Sequence, residues 1–590
     1  MRRLVVIGLM LLMAVPSAYT ISSMKFASYL QKTDWRSMEP NGYTSHTPIY
    51  INGNSNFTAQ NGVVGGNGTG DDPYIIEGWE IDARGGDYCI KIENTNVYFV
   101  IRNCYLHGAT GNWPYSGIFL KNVTNGRIEN NTISGNREGI FLYLSSHNIV
   151  VNNRCLNNND EGIYIRESKY NVFWSNSMEN CSVYIRGYLE DFTTQDIPTN
   201  NTVNGRPVYY YRSVDMNNST APTDAGEIIL GDVRSFIIEN LTFSNAGVCV
   251  EIGYSFYITI RNCTFRDSDL GVYIRYSDHN VVERNVFTNV SSGIILYGSS
   301  NNFVDSNTLA DCTDGITVGY SSHYNILRNN TMNCNFSGIH IIFSTDNILW
   351  SNTMVGCGAL LWGYEDTYLN QEIPSNNTVN GKPLYYYKNI DMGGSQMPTD
   401  AGQIILANAT NVVIENVEIN NTTIGLEIAY SSYIIVRNST FSYNKLSGIE
   451  IYFSSNNLIY HNLLSHNSYY GLEITYGSYN VIYNNSFYYN HDSGDSYNSS
   501  CIQACDYGTN NYWNSSSGIG NYWHDWANNN DTNDQNHDGI VDWSYRIDGS
   551  SGAKDFYPLK NPTVVVEIPK LSFVLPVLLG ILAVLWKRRM

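Results

Sequence analysis

The sequence predicts an all-β fold built as a parallel β-helix, and three observations predict it. First, an Asn recurs at a spacing of about 22 residues, each time at the end of a short apolar run, and a fixed period of this size is the signature of a solenoid. The series reads Asn103, Asn130, Asn153, Asn176, Asn240, Asn262, Asn285, Asn307, Asn330, Asn352, Asn416, Asn438, Asn462 and Asn485. Second, a repeat such as Asn280–Ser300 holds two alternating segments, VVERNVF and GIILY. Alternation over four or five residues marks half-buried strands and not helices. Third, a glycine precedes the second segment at Gly117, Gly139, Gly162, Gly271, Gly293, Gly315, Gly338, Gly448 and Gly471, where a tight corner is expected. Strands this short, in turns this short, must stack parallel on the strands of neighbouring turns. At an inward corner each Asn can then bond its counterpart one turn away, about 4.8 Å along the axis.

Longer-range order supports the solenoid. NNTVNGRPVYYY from Asn200 returns as NNTVNGKPLYYY from Asn376, and the same offset relates Asp224 to Asp400 and Asn240 to Asn416. Before each copy the Asn series skips, from Asn176 to Asn240 and again from Asn352 to Asn416. Each gap holds an irregular insert, YLEDFTTQDIPT or YEDTYLNQEIPS, expected to project as a loop. A hydrophobic fraction of 43% with 15% charged residues is that of a folded chain. The net charge of −19 argues against nucleic acid, because phosphate binding needs clustered Lys and Arg.

Both ends carry membrane signals. Arg2 and Arg3, the apolar run Leu4–Val15 and the small residues Ser17 and Ala18 follow the order of a secretory signal peptide. Leu571–Trp586 is apolar and is followed by Lys587, Arg588 and Arg589, which places the tail in the cytoplasm and the body outside. Asn-x-Ser/Thr triplets such as those at Asn56, Asn67, Asn122 and Asn514 fit a glycoprotein exported by that route. The expected organisation is a signal peptide over 1–23, a linker over 24–45, an N-terminal cap with the first turns over 46–115, and the β-helix over 116–490. A closing segment over 491–562 and a transmembrane helix with basic tail over 563–590 complete it.

The blocks NTVNGKPLYYYKNIDM and DAGQIILANATNVVIENVEI, the recurring SSxNxI turns, the opening stretch His46–Ile81 and the closing NYWHDW stretch resemble the NosD-like group of right-handed parallel β-helix proteins, which is common on archaeal surfaces. That resemblance implies a right-handed coil with an N-terminal cap and a closing segment. Its members are variously described as copper-processing accessory proteins, carbohydrate-binding proteins or sugar hydrolases.

Several constellations could carry chemistry. Positions two after the repeat glycine should face outward in one column, which places Tyr164, Tyr184 and Tyr273 in line, with Arg166, Arg186 and Arg275 two residues further on. Such rows can stack on sugar rings and hydrogen-bond acidic sugars. The same alignment sets Glu427, Glu450 and Glu473 on successive turns, where they form a solvated face, a cation or sugar contact, or a catalytic carboxylate pair. Nothing in the sequence places a general acid opposite a nucleophile, so an enzyme is not the expected reading. After the solenoid, Asp534, Asn536, Asp538, the Ile540 carbonyl and Asp542 fit a short Ca²⁺ loop, D-x-N-x-D-G-x-x-D. Copper is not expected, since no Met-x-Met or His-x-His run exists. Cys249 and Cys263 are absent together from the second copy, which suggests a disulfide. Cys89 with Cys104 and Cys501 with Cys505 are further candidate pairs.

The sequence therefore reads as a tail-anchored cell-surface β-helix that binds polysaccharide or a surface glycan. A polysaccharide lyase or glycoside hydrolase is the alternative, and a structural or adhesive spacer the second.

Overall fold

The computed structural model describes residues 42–527 and 534–563. The expected signal peptide, and the expected anchor beyond Thr563, lie outside these residues. Among the described residues no helix is long and apolar enough to cross a membrane. The chain forms two compact units: one holds the residues up to 210 with 226–228 and 245–248, and the other holds 211–225, 229–244 and everything from 249 on.

Within the first unit the turns carry three short strands, not two. Ile163–Arg166 pairs in parallel with Glu138–Tyr143 before it and Val183–Arg186 after it. Ile149–Val151 and Arg154–Leu156 do the same in two further parallel sheets. The segment read as one strand in each repeat is bent at the ladder Asn, so VVERNVF contributes Val281–Glu283 and then the start of Val286–Tyr297. Arg284, with φ 53°, makes the bend. Val63–Gly65 closes the N-terminal end by an antiparallel pairing with Tyr74–Glu77.

In the second unit Thr264–Arg275, Val286–Tyr297, Thr308–Gly319 and Thr331–Ile342 run through one corner without a break. They stack in register, with Val272, Ile294, Ile316 and Ile339 inward. The core is a column of aliphatic side chains closed by Trp513, Trp523 and Tyr545, with Trp523 stacked between Phe487 and Tyr545 at 4.2 and 4.1 Å. Burial of such side chains contributes about 2 kcal/mol apiece.

The Asn ladder is present, but its register is more subtle than the sequence series. Asn285, Asn307, Asn330 and Asn352 are buried, and each side-chain amide donates to the next Asn Oδ1 at 2.9–3.0 Å. Asn103, Asn130, Asn240, Asn262, Asn416 and Asn438 instead stand one residue before the ladder, in the left-handed region with φ between 49° and 59°. Their ladder places are held by Cys104, Asn131, Leu241, Cys263, Val417 and Ser439. Further Asn ladders run along other corners, through Asn280, Asn302, Asn325 and Asn347, and through Asn444, Asn467 and Asn490.

The inserts do not project. Each folds into a short helix, Leu189–Thr193 or Glu365–Leu369, that seats Phe192 or Tyr368 in a buried position. Each also supplies a glutamine to a corner ladder: Asn171 N–H donates to Gln195 Oε1 at 3.2 Å and Asn347 N–H to Gln371 Oε1 at 3.1 Å.

Candidate functional site

The expected glutamate column exists. Glu427, Glu450 and Glu473 pair in register on three consecutive strands of the second unit. It is not a solvated face, however. Glu427 is only 3% exposed and neither of its carboxylate oxygens has a hydrogen-bond partner. The insert helix covers it: Tyr368 is buried, donates to the Leu361 carbonyl at 2.7 Å, and packs its ring on Tyr430 and Tyr452 at 5.8 and 5.6 Å. Burial, then the neighbouring carboxylate, pushes the Glu427 pKa well above its ordinary value and that of Glu450 up to about 8. Burial also raises Glu473, which accepts a bond from Ser447 at 3.1 Å. Burial thus favours the neutral form of these acids, and the rings packed over Glu427 leave no open cleft there for a substrate.

The aromatic and arginine column is also in register, and largely covered. Tyr164 stacks between Phe141 and Tyr184 at 4.4 and 5.3 Å, and burial pushes its hydroxyl pKa up to about 12. The edge of Trp113 closes over Phe119 at 5.0 Å. Arg166 lies over the Tyr143 ring at 5.0 Å and pairs with Glu167 at 3.2 Å, whereas Arg186 is exposed. Tyr273 and Arg275, expected in the open, are both 7% exposed. Outward-facing strand positions are thus poor guides to accessibility where a loop lies across the sheet.

The exposed aromatic row sits at a different place, at the corner that follows the outward strand. In the second unit the residue five after the repeat glycine is Tyr276, Tyr320, Phe343, Tyr430, Phe453 or Tyr476, joined by Tyr254, Tyr297 and Tyr364. Ring centroids step along the turns at 5.2 Å (Tyr254–Tyr276), 5.8 Å (Tyr276–Tyr297), 4.8 Å (Tyr297–Tyr320), 6.3 Å (Tyr320–Phe343) and 5.0 Å (Phe343–Tyr364). A second run continues through Tyr430, Phe453 and Tyr476 at 5.3 and 4.7 Å. Tyr276, Tyr320, Phe453 and Tyr476 are 39–55% exposed. Another exposed line, Tyr257, Tyr324, Tyr433 and Tyr479, follows a little further along each turn.

The backbone gives no reason for aromatics there. Tyr276, Tyr320, Phe343, Tyr430, Phe453 and Tyr476 all hold φ between 45° and 56°, a region in which a bulky side chain costs energy. Asn122 and Gly298 occupy the same corner elsewhere at φ 54° and 57°. The sequence signal for this row is a fixed offset from the repeat glycine, beyond the strand positions that alternation picks out.

The acidic loop forms a set of local turns. Asp534 accepts from the N–H groups of Asp538 and Gly539 at 3.0 Å, Asp538 from Ile540 at 2.8 Å, and Asp542 from Gln535 at 2.9 Å. Asn536 Oδ1 also accepts from Asp538 N–H at 3.0 Å. The expected disulfides Cys249–Cys263, Cys89–Cys104 and Cys501–Cys505 are not formed. Cys104 and Cys263 stand in the Asn ladder and donate to the carbonyls of Arg102 and Arg261 at 3.2 and 3.3 Å, as a ladder amide does. Cys89 donates to the His107 carbonyl at 3.3 Å.

Comparison with known proteins fits this picture. The right handed beta helix region family matches residues 226–379 and 397–535, and the NosD family, described as periplasmic copper-binding protein, matches residues 28–235. No curated protein sequence matches the chain. Among solved structures, the periplasmic alginate epimerase AlgG is 12% identical over 76% of this chain and 84% of its own, with a TM-score of 0.24. A mannuronic acid specific polysaccharide family 6 lyase from human gut microbiota is 11% identical over 75% and 87%, with a TM-score of 0.19. The tailspike protein of E. coli bacteriophage HK620, in complex with pentasaccharide, is 10% identical over 72% and 71%, with a TM-score of 0.22. At these identities and TM-scores the likenesses carry no argument about this chain. From its repeat, its three-sheet turns and its two family matches, the chain is a NosD-like right-handed parallel β-helix protein.

Proposed function

We propose that this protein is an exported β-helix of the cell surface, anchored in the membrane by its C-terminal helix, that binds polysaccharide along the aromatic corner row of its second unit. The observation that carries the reading is that row: partly exposed rings recur turn after turn from Tyr254 to Phe343, at spacings close to the length of one hexose residue. Aromatic faces stack on the C–H faces of sugar rings, and an exposed apolar strip of this extent marks an interaction site. Arg275, over the rings of Tyr276 and Tyr297 at 5.1 and 5.3 Å, stiffens the row and adds a cation beside it. A polymer laid along the axis would meet one ring per turn, so weak contacts add.

The glutamate column supports an enzyme less well. Carboxylic acids with raised pKa values suit general acids, but Glu427 is sealed beneath Tyr368, and an acid cannot act on a bond it cannot reach. We also propose that Asp534, Asn536, Asp538, the Ile540 carbonyl and Asp542 take Ca²⁺ to pin the closing segment, on the ligand spacing alone.

The test is a polysaccharide-array screen of the full chain and of Tyr276→Ala/Tyr320→Ala, with a reducing-end release assay in parallel. Retention of at least one glycan by the native chain, weakened tenfold or more in the variant and without product release, is expected. Silence across the array points instead to a spacer, and product release to a lyase or hydrolase.

A further inference from the structure

In the first unit, Glu138, Asp160 and Glu161 each bring one carboxylate oxygen within 4.8 Å of the other two. Glu138 and Glu161 occupy the same place on consecutive turns, directly before the repeat glycines Gly139 and Gly162. The Gly139 N–H donates to the Glu161 carbonyl at 2.8 Å, and a Cβ at Gly139 would lie 2.3 Å from the Gly162 carbonyl oxygen, so the two turns cannot spread apart. Asp160 is held from the side by Arg137, whose Nε donates to it at 2.6 Å while its guanidinium lies over the Tyr115 ring at 4.3 Å. Glu138 is 5% exposed, yet its Oε2 has no hydrogen-bond partner. A buried carboxylate oxygen left without a donor and turned toward two more carboxylates is an expensive arrangement, and it asks for a counter-charge.

The duplication supplies an internal comparison. Under the offset that carries Asn200 to Asn376, Glu138 becomes Asp314, Asp160 becomes Phe336 and Glu161 becomes Ser337. There the single acid is satisfied within the chain, because the Ser337 hydroxyl donates to Asp314 Oδ1 at 2.5 Å. The same corner can therefore be closed cheaply with one carboxylate and a hydroxyl. The first unit instead keeps three carboxylates against one guanidinium, a net of two negative charges around a common point.

We propose that Glu138, Asp160 and Glu161 form a binding site for a divalent hard cation, best matched by Ca²⁺, within the first unit. The donors are all oxygens, which excludes soft metals on chemistry. Carboxylates from two turns, which move only with the sheet, offer the loose geometry that Ca²⁺ accepts and Mg²⁺ does not, with water completing the shell.

The experiment uses the full chain carrying Asp538→Asn/Asp542→Asn, so that the C-terminal loop contributes nothing. Tb³⁺ is titrated with excitation in the tyrosine band, Tyr115 lying beside Arg137, and Ca²⁺ is then used to displace it. A saturable, Ca²⁺-displaced signal is expected, with affinity reduced at least tenfold by adding Glu138→Gln/Glu161→Gln. The amide pair can hydrogen-bond itself, so that variant should keep its β-sheet circular dichroism in EDTA. If it does not fold, Asp160→Asn, at a half-buried position, is read in its place, with the same loss of affinity expected. Unchanged affinity in the folded variant, or no saturable signal in the parent, overturns the proposal. Glycan binding by the second unit is scored separately, so failure here leaves that reading standing or falling on its own assay.

Discussion

Asn330→Ala should cost about 4 kcal/mol, within the range expected when buried polar groups lose their partners. The Asn330 side chain donates from Nδ2 to the Val304 carbonyl and to Asn352 Oδ1, both at 3.0 Å, and its Oδ1 accepts from the Asn307 backbone N–H and Nδ2, both at 3.0 Å. The residue is fully buried. Truncation leaves the Asn352 oxygen with the Asn330 backbone N–H at 3.1 Å, so that acceptor is still met. Two donors of Asn307 and the second bond to the Val304 carbonyl are lost without replacement. At roughly 1–3 kcal/mol for each of the two buried donors left unsatisfied, the range is about 2–6 kcal/mol, and a water entering the space left behind brings it toward the middle. Asn330→Ser should cost about half as much, because Ser439 already holds a ladder place, its Oγ accepting from Val417 N–H at 3.2 Å and donating to the Arg437 carbonyl at 2.8 Å. Urea unfolding gives the stability change. Hydrogen exchange locates it, since a solenoid transmits damage mainly to adjacent turns. An Asn330→Ala protein within about 1 kcal/mol of the native chain, or one with unchanged protection at Asn285 and Asn307, would refute the ladder as a source of stability.

The Glu450 carboxyl, raised to about 8, makes a pH prediction whose sign is fixed by its direction. A raised folded pKa contributes stability that is fully present below the ordinary value of 4.5 and is lost as pH rises through about 8. Thermal midpoints should therefore fall between pH 5 and pH 9, and Glu450→Gln should flatten that slope; an equally steep slope in the variant would remove the glutamate column as its cause. Gly139→Ala should destabilise the first unit by about 2 kcal/mol or more, measured by urea unfolding, since the added methyl meets the Gly162 carbonyl oxygen at 2.3 Å. Tyr320→Ala alone should weaken polysaccharide retention severalfold on an affinity gel while leaving stability within about 1 kcal/mol, as Tyr320 is 42% exposed; equal retention would take it out of the binding row. Chelation by EGTA should lower the thermal midpoint by a few degrees and speed proteolysis near residue 534 if the acidic loop holds Ca²⁺, and no change in either would rule that out.

Much of this fold could be read from residue spacing because a solenoid repeats its physics. A buried amide at a corner has one satisfactory partner, the same amide one turn on, so Asn285 and Asn307 reveal themselves by period. The phase of the period was harder to see. Asn103 and Asn262 look like ladder residues, but the left-handed corner just before the ladder favours Asn as well, and Cys104 and Cys263 take the inner place. That substitution also explains why paired cysteines suggested bridges that are not formed. The glutamate column stands in the expected register, on buried ground where water was expected. Whether Glu427 meets water depends on Tyr368, far from it along the chain, and on an insert whose irregular sequence looks the same whether it projects or folds back. The aromatic row needed only a different offset from the same glycine.

The amide ladders have a direction. Ladder amides donate toward the next turn and accept from the one before, so each line is a string of dipoles with unlike ends. Where two of these lines stop, the chain supplies carboxyl groups: Gln503 donates to Asp525 at 2.6 Å, and the Asn521 N–H donates to Asp555 at 2.6 Å. A coil of this kind is a polar polymer, extendable from within but not reversible. A copied block must keep the same sense, and the duplication that repeats Asn200–Tyr211 as Asn376–Tyr387 does so, each line ending where Asn201 and Asn377 donate to the carbonyls of Pro198 and Pro374. Length is therefore the cheapest property for this molecule to change, and the number of rings it can offer along its corner changes with it.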